Sequence, residues 1–132
     1  MLPKLFFAIL LVSLFAVACD DGKVKKLNDE INQIHDVAMK DHAEMLRVGR
    51  SLKDFMISAM MTPEQNAAYI KAIESIDRTD LDMTNWMTQY SVPEGKPKAE
   101  IVLYLESQKK GIAQNHQDIL AATAGGKKLL GQ

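Results

Sequence analysis

Two histidines and three methionines are the residues of this chain whose types and spacing suit joint chemistry. His35, Met39 and His42 follow one another at intervals of four and three residues, which places them along one stripe of a helix. A second helix that packs antiparallel on the first would bring Met83 and Met87 opposite that stripe. Thioether sulfur and imidazole nitrogen are ligands that suit Cu(I). The five residues therefore form a candidate Cu(I) site.

Core packing is the default interpretation of the same pattern. Methionines at helical spacing commonly fill irregular gaps in a core, and histidines beside them cover it with their polar tips in water. No acidic or cysteine ligand completes a recognisable metal motif near them. We therefore expect no cofactor by default, and we keep Cu(I) as the alternative.

The third histidine, His116, is expected in a third helix, level with residues 50–52 of the first and about two turns from His42. That separation argues against a zinc site made of three histidines. A haem ligated by methionine and histidine would find little room in so small a helical core.

Two carboxylates, Asp41 and Asp80, fall at otherwise apolar positions of the first and second helices. The expected pairing of the helices brings them near each other, where they could bind a cation. We favour the simpler interpretation that each pairs with a neighbouring Lys, Arg or Asn and fixes the helix register.

An aromatic pair, Trp86 and Tyr90, lies four residues apart on the second helix. Such a pair either packs in the core, which is the default, or forms a contact patch for a protein partner. No phosphate-binding glycine loop, Ser-His-Asp set or zinc signature is present in the sequence. We therefore expect a protein that is not an enzyme.

Apolar residues recur every three or four positions in three long segments, which is the period of a helix. These segments cover residues 27–59, 63–90 and 98–124. Thr62 can cap the second helix with Pro63 at its first turn and Gln65 closing a capping box. Prolines within residues 92–97 separate the second and third helices, and Gly125-Gly126 is expected to end the third.

Short connections make successive helices antiparallel neighbours, so the predicted fold is all-α, an up-down-up three-helix bundle. The first helix is long and projects beyond the others at one end. The tight turn near Thr62 pairs residues of the first two helices whose numbers sum to about 123, which places Met83 opposite residue 40 and Met87 opposite residue 36.

The first 18 residues look like an export signal. Lys4 supplies a positive charge, residues 5–18 are apolar except for Ser13, and small residues precede Cys19. This ending resembles the lipobox of bacterial lipoproteins, whose cysteine is acylated with fatty acids such as palmitate before cleavage. We therefore expect a signal peptide over residues 1–18 and lipidation of Cys19. The alternative is an ordinary secretory signal followed by a stray cysteine.

The remaining 114 residues are enough for one domain, with the lipidated cysteine and a charged tether over residues 19–26 and the bundle over residues 27–132. Without Lys4 the chain keeps 15 basic residues against 17 acidic ones, a formal net charge of −2, so nucleic acid is an unsuitable partner. Cys19 is the single cysteine, which excludes an internal disulfide.

Short motifs spread over the three helices resemble a family of small Bacteroidetes lipoproteins that often carry the label "viral A-type inclusion protein". The motifs are Ile34-His35-Asp36 in the first helix, Asp80, Met83, Trp86-Met87 and Tyr90 in the second, and Tyr104-Leu105 with Gln108-Lys109 in the third. The resemblance implies a helical fold and an envelope location, and it implies no catalytic residues.

The expected function is that of a membrane-anchored helical module which holds a protein partner, or a second copy of itself, at the cell envelope. The alternative is a periplasmic protein that binds or buffers Cu(I). The acidic pair Asp20-Asp21 resembles inner-membrane retention signals of one bacterial group and surface-export signals of another. We expect the outer membrane or the cell surface rather than the inner membrane.

Overall fold

The computed structural model describes the backbone of residues 3–132 and the side chains of residues 20–132. Three helices account for almost all of it: α1 (Pro3–Ser58), α2 (Pro63–Gln89) and α3 (Lys98–Leu129). The helices pack against one another, and the described part of the chain contains no strand, which confirms the predicted all-α bundle. Residues 20–26, which the sequence assigns to a tether, are helical and continue α1.

The turn between α1 and α2 has the predicted capping box. The backbone nitrogen of Gln65 donates to Thr62 Oγ1 at 3.2 Å, and the backbone nitrogen of Thr62 donates to Gln65 Oε1 at 3.0 Å. Pro63 occupies the first turn of α2, where its missing N–H leaves no partner unsatisfied. This reciprocal bonding begins α2 immediately after the turn, so α2 runs back antiparallel along α1.

The register of α1 against α2 follows from that tight turn. His35 stacks on Trp86, His42 bonds Asp80, and Phe55 stacks on Tyr69. All three pairs agree with facing residue numbers that sum to about 123, so the predicted register is confirmed.

The connection over residues 90–97 does not turn straight back. Tyr90, at the end of α2, bonds Asn28 of α1, whereas Lys98, the first residue of α3, pairs with Asp21. The extended connection thus advances seven residues along α1, about 10 Å, before α3 begins. α3 then runs parallel to α1, and His116 lies beside Asp41. The prediction that His116 lies level with residues 50–52 is wrong for this reason.

The third helix also extends beyond its predicted end at Ala124, through both glycines to Leu129. Gly126 is buried, and a Cβ built on it would lie 2.5 Å from Val48 Cγ1 of α1. Gly126 therefore allows α1 and α3 to approach closely, and it does not end the helix. Gly131, with a φ of 74°, is the glycine that follows the end of α3.

The core runs along the whole bundle and draws on all three helices. Its largest fully buried side chains are Ile31, Met45, Val48, Leu52, Ile76, Met83, Leu105, Ile112 and Ile119. The buried residues of the described core lie between Leu27 and Ala122, so residues 20–132 contain the whole of that core.

Candidate functional site

Two neighbouring residues of α1 bond to different helices at the middle of the bundle. His116 Nε2 of α3 donates to Asp41 Oδ2 at 2.6 Å, and His42 Nε2 donates to Asp80 Oδ1 of α2 at 2.7 Å. Successive positions of a helix point about 100° apart, which is why adjacent residues reach different neighbours. One turn of α1 is thereby tied to both other helices.

These partners differ from the predicted ones. Asp41 and Asp80 were expected to pair with Lys, Arg or Asn, and each instead accepts a hydrogen bond from an imidazole. An ionised carboxylate can only accept, so the shared proton lies on the histidine nitrogen. His42 Nε2 consequently has no free lone pair for a metal while it bonds Asp80.

Three rings form a stack between α1 and α2. The ring centroids of His35 and Trp86 are 5.7 Å apart, and those of Trp86 and Tyr90 are 4.8 Å apart. Trp86 Nε1 donates to Gln108 Oε1 at 3.0 Å, and the Tyr90 hydroxyl donates to Asn28 Oδ1 at 2.7 Å. Burial, followed by the nearby Tyr104, raises the pKa of Tyr90 above its ordinary value.

The polar atoms of Trp86 and Tyr90 are therefore bonded within the bundle, and both side chains are half-buried against the core. This arrangement suits a clasp that holds the three helices together. A role of the pair in contacting a partner stays a prediction.

One buried side-chain nitrogen lacks a hydrogen-bond partner among the described residues, and it is His35 Nε2. The other ring nitrogen, Nδ1, lies 3.6 Å from Asp36 Oδ1, an exposed carboxylate. That negative charge favours the proton on Nδ1, which leaves the lone pair on the buried Nε2. An unpaired buried nitrogen is uncommon and calls for a physical explanation.

The three methionines of the candidate Cu(I) site differ in exposure. Met83 is fully buried, Met39 is partly buried against the core, and Met87 is exposed at the edge between α1 and α2. Within residues 20–132, no three His, Cys, Asp or Glu side chains are grouped so that they could hold a metal ion. A metal at this place would therefore depend on the thioether groups.

An apolar surface lies at the end of the bundle where α1 turns into α2, and we call it the distal end. It comprises Phe55, Ile57, Met60, Met61, Ala68, Tyr69 and Leu129. A groove of about 510 Å³ opens there between the ends of the three helices. Ile57 is 86% exposed and Met60 is 100% exposed. The Tyr69 hydroxyl donates to the Leu129 carbonyl at 2.8 Å, which holds one wall of the groove in place.

Charged side chains link α1 to α3 along their whole length. Lys109 Nζ donates to Glu30 Oε2 at 2.7 Å, and Lys127 Nζ lies 2.8 Å from Glu44 Oε1. Hydrogen bonds from Arg47 and then Lys127 lower the pKa of Glu44 from 4.5 to about 2. This carboxylate is therefore ionised throughout the neutral range and keeps both cations in place.

The predicted signal peptide over residues 1–18 and the side chain of Cys19 lie outside the residues whose side chains are described. Within residues 20–132, no helical stretch is long and apolar enough to cross a membrane.

Comparison of the chain with known protein families, with curated proteins and with solved structures finds no match in any of the three. The sequence singled out His35, Met39, His42, Met83 and Met87, and the structure places them along the contact between α1 and α2. The sequence analysis did not predict the groove at the distal end. The available signal was the group of apolar residues Ile57, Met60 and Met61 beside the predicted turn.

Proposed function

We propose that this protein is a bacterial lipoprotein whose helical bundle is a non-enzymatic interaction module of the cell envelope. The anchor is the acylated Cys19. Each buried methylene of an acyl chain contributes about 0.8 kcal/mol, so two or three long chains hold a protein firmly in a membrane. The resemblance to small Bacteroidetes lipoproteins supports a location in the cell envelope, and within the envelope we propose the outer membrane or the cell surface.

The observation that carries the interaction role is the exposed apolar distal end. Large apolar side chains that cluster beside a groove on an otherwise polar protein mark contact sites. Ile57 and Met60 project into solvent next to the groove walls formed by Phe55 and Tyr69. This shape fits an apolar segment of a protein partner, which would lie in the groove and cover both exposed residues.

The length of α1 separates the distal end from the lipid anchor. α1 is continuous from residue 20 to Ser58, which corresponds to about 57 Å. The groove therefore lies at the opposite end of the bundle from Cys19. A module of this form would hold its partner at a fixed distance from the membrane.

The anchor is tested with the full chain and a Cys19→Ser variant in bacterial cells. We expect the parent protein in the membrane fraction, with acyl chains visible in its mass, and the variant in the soluble fraction. An intact leader or an unmodified Cys19 in the native protein would refute lipid anchoring.

The interaction surface is tested by placing a photoreactive residue at position 60 and, as a matched control, at Leu103, which is exposed on α3 away from the groove. We expect a crosslinked adduct of defined mass from position 60 that an Ile57→Lys substitution removes. The mass of the lipid-free 20–132 fragment in solution shows whether the adduct is a second copy. Equal crosslinking from both positions would refute a specific distal contact.

A further inference from the structure

We propose that His35, Met39 and Met83 form a Cu(I) site in the contact between α1 and α2, closed on one side by the Trp86 ring. The inference is independent of the proposed lipid anchor and of the distal groove. It begins with the unpaired buried Nε2 of His35, whose lone pair is oriented into the protein.

The four side chains occupy facing positions of the two helices. On α1, Met39 follows His35 by four residues, so the two are neighbours on the helix surface. On α2, Trp86 follows Met83 by three residues and stacks on the His35 ring. The register that pairs His42 with Asp80 also brings Met83 level with Met39. The register thus places one imidazole and two methionines at neighbouring positions of the contact between α1 and α2.

The ligand atoms, one imidazole nitrogen and two thioether sulfurs, indicate which metal would bind. Thioether sulfur is a soft ligand that prefers Cu(I) over zinc, magnesium or calcium. Methionine side chains have three rotatable bonds, so their sulfur atoms can adjust to a metal held by Nε2. The negative charge of Asp36, whose Oδ1 lies 3.6 Å from Nδ1, favours the tautomer that leaves Nε2 free to bind.

The structure narrows the set of ligands that the sequence indicates. His42 uses Nε2 to donate to Asp80, and it therefore belongs to the helix contact and not to the metal site. Met87 is exposed at the edge between the two helices, and it forms the rim of the site. The remaining ligands number three, which is sufficient for Cu(I) in a protein interior.

The test uses the 20–132 fragment, which contains the complete core and omits Cys19, whose thiol would itself bind Cu(I). Cu(I) is titrated without oxygen against a coloured Cu(I) chelator, and Trp86 fluorescence is followed in the same titration. We expect one Cu(I) per chain and quenching of Trp86, the only tryptophan.

Three substitutions assign the ligands. His35→Gln and Met39→Leu are each expected to weaken Cu(I) binding at least tenfold, whereas Met60→Leu, at a fully exposed methionine, leaves it unchanged. Leucine has nearly the volume of methionine, so Met39→Leu should fold and still test Cu(I) binding even if His35→Gln fails to fold. The proposal is overturned if the parent fragment holds Cu(I) no more tightly than Met39→Leu, or if Met60→Leu weakens it equally.

Discussion

The two long contacts of α1 are built differently. Its contact with α3, the α1–α3 seam, contains charged pairs such as Glu30–Lys109 and Glu44–Lys127 and the close approach of Gly126 to Val48. Its contact with α2, the α1–α2 seam, contains the stacked rings of His35, Trp86 and Tyr90 with Met39 and Met83 beside them.

This difference suggests that the α1–α3 seam serves stability, whereas the α1–α2 seam has a polar atom available for a ligand. In the α1–α3 seam the charged groups find partners, and helix packing is close because a glycine permits it. In the α1–α2 seam, an imidazole ring that stacks on Trp86 has a buried nitrogen without a hydrogen-bond partner. A ligand is therefore expected between α1 and α2, whereas substitutions between α1 and α3 should act on stability.

The largest expected effect on stability comes from adding a methyl group where two helices approach closely, and it should differ between the two seams. Gly126→Ala places a Cβ 2.5 Å from Val48 Cγ1, and the overpacking should cost about 1–3 kcal/mol of unfolding free energy. Gly49→Ala, in the α1–α2 seam, meets Ile76 Cγ2 at 3.2 Å. The better helix propensity of alanine should largely offset that milder clash. Urea unfolding of the 20–132 fragment measures both variants.

Gly125→Ala is the matched control for this comparison. No atom lies within 4 Å of its added Cβ, so the helix should gain about 0.5–1 kcal/mol. Equal losses in Gly49→Ala and Gly126→Ala would show that the two seams are packed equally closely, and the proposed distinction would fail.

A smaller effect is expected at the two His–Asp pairs, one in each seam. Asp41→Asn and Asp80→Asn keep the size of the side chain and remove its charge, and each pair is partly exposed. We expect each substitution to cost about 1 kcal/mol. Thermal unfolding checks this estimate, and a double-mutant cycle with His116→Gln isolates the Asp41 pair. A loss confined to one of the two variants would show that a single pair fixes α1.

The smallest effect concerns Glu44 in the α1–α3 seam and depends on pH. Its folded-state pKa of about 2 lies below its ordinary value of 4.5, so its contribution to stability is complete above about pH 5. The contribution declines as the pH falls toward 2, because protonation removes the charge that Arg47 and Lys127 bind. Glu44→Gln should therefore unfold at a lower temperature than the parent at pH 7 and at the same temperature near pH 2.

The control for Glu44 is salt, which screens exposed ion pairs. At high ionic strength the difference between the parent and Glu44→Gln at pH 7 should shrink. A difference that persists at pH 2 would mean that Glu44 acts through packing and not through its charge.

Local sequence patterns were sufficient to predict the features that depend on residues close together in the chain. The three helices, the capping box at Thr62 and the antiparallel register of α1 and α2 were all predictable. Helical periodicity, capping and a tight turn act over a few residues. The His/Met stripe was visible for the same reason, because its members are spaced by single helical turns.

The position of α3 on α1 depends on contacts between residues far apart in the chain. The path of residues 90–97 depends on their contact with α1. The residues of α1 that lie beside His116 therefore could not be predicted from its position in the chain. Gly126 belongs to a pair of glycines of the kind that often ends a helix. Val48 packs against it, however, so it is a point of close approach between α1 and α3. The same applies to His35: an unpaired nitrogen is defined by what surrounds it, and those surroundings come from two different helices.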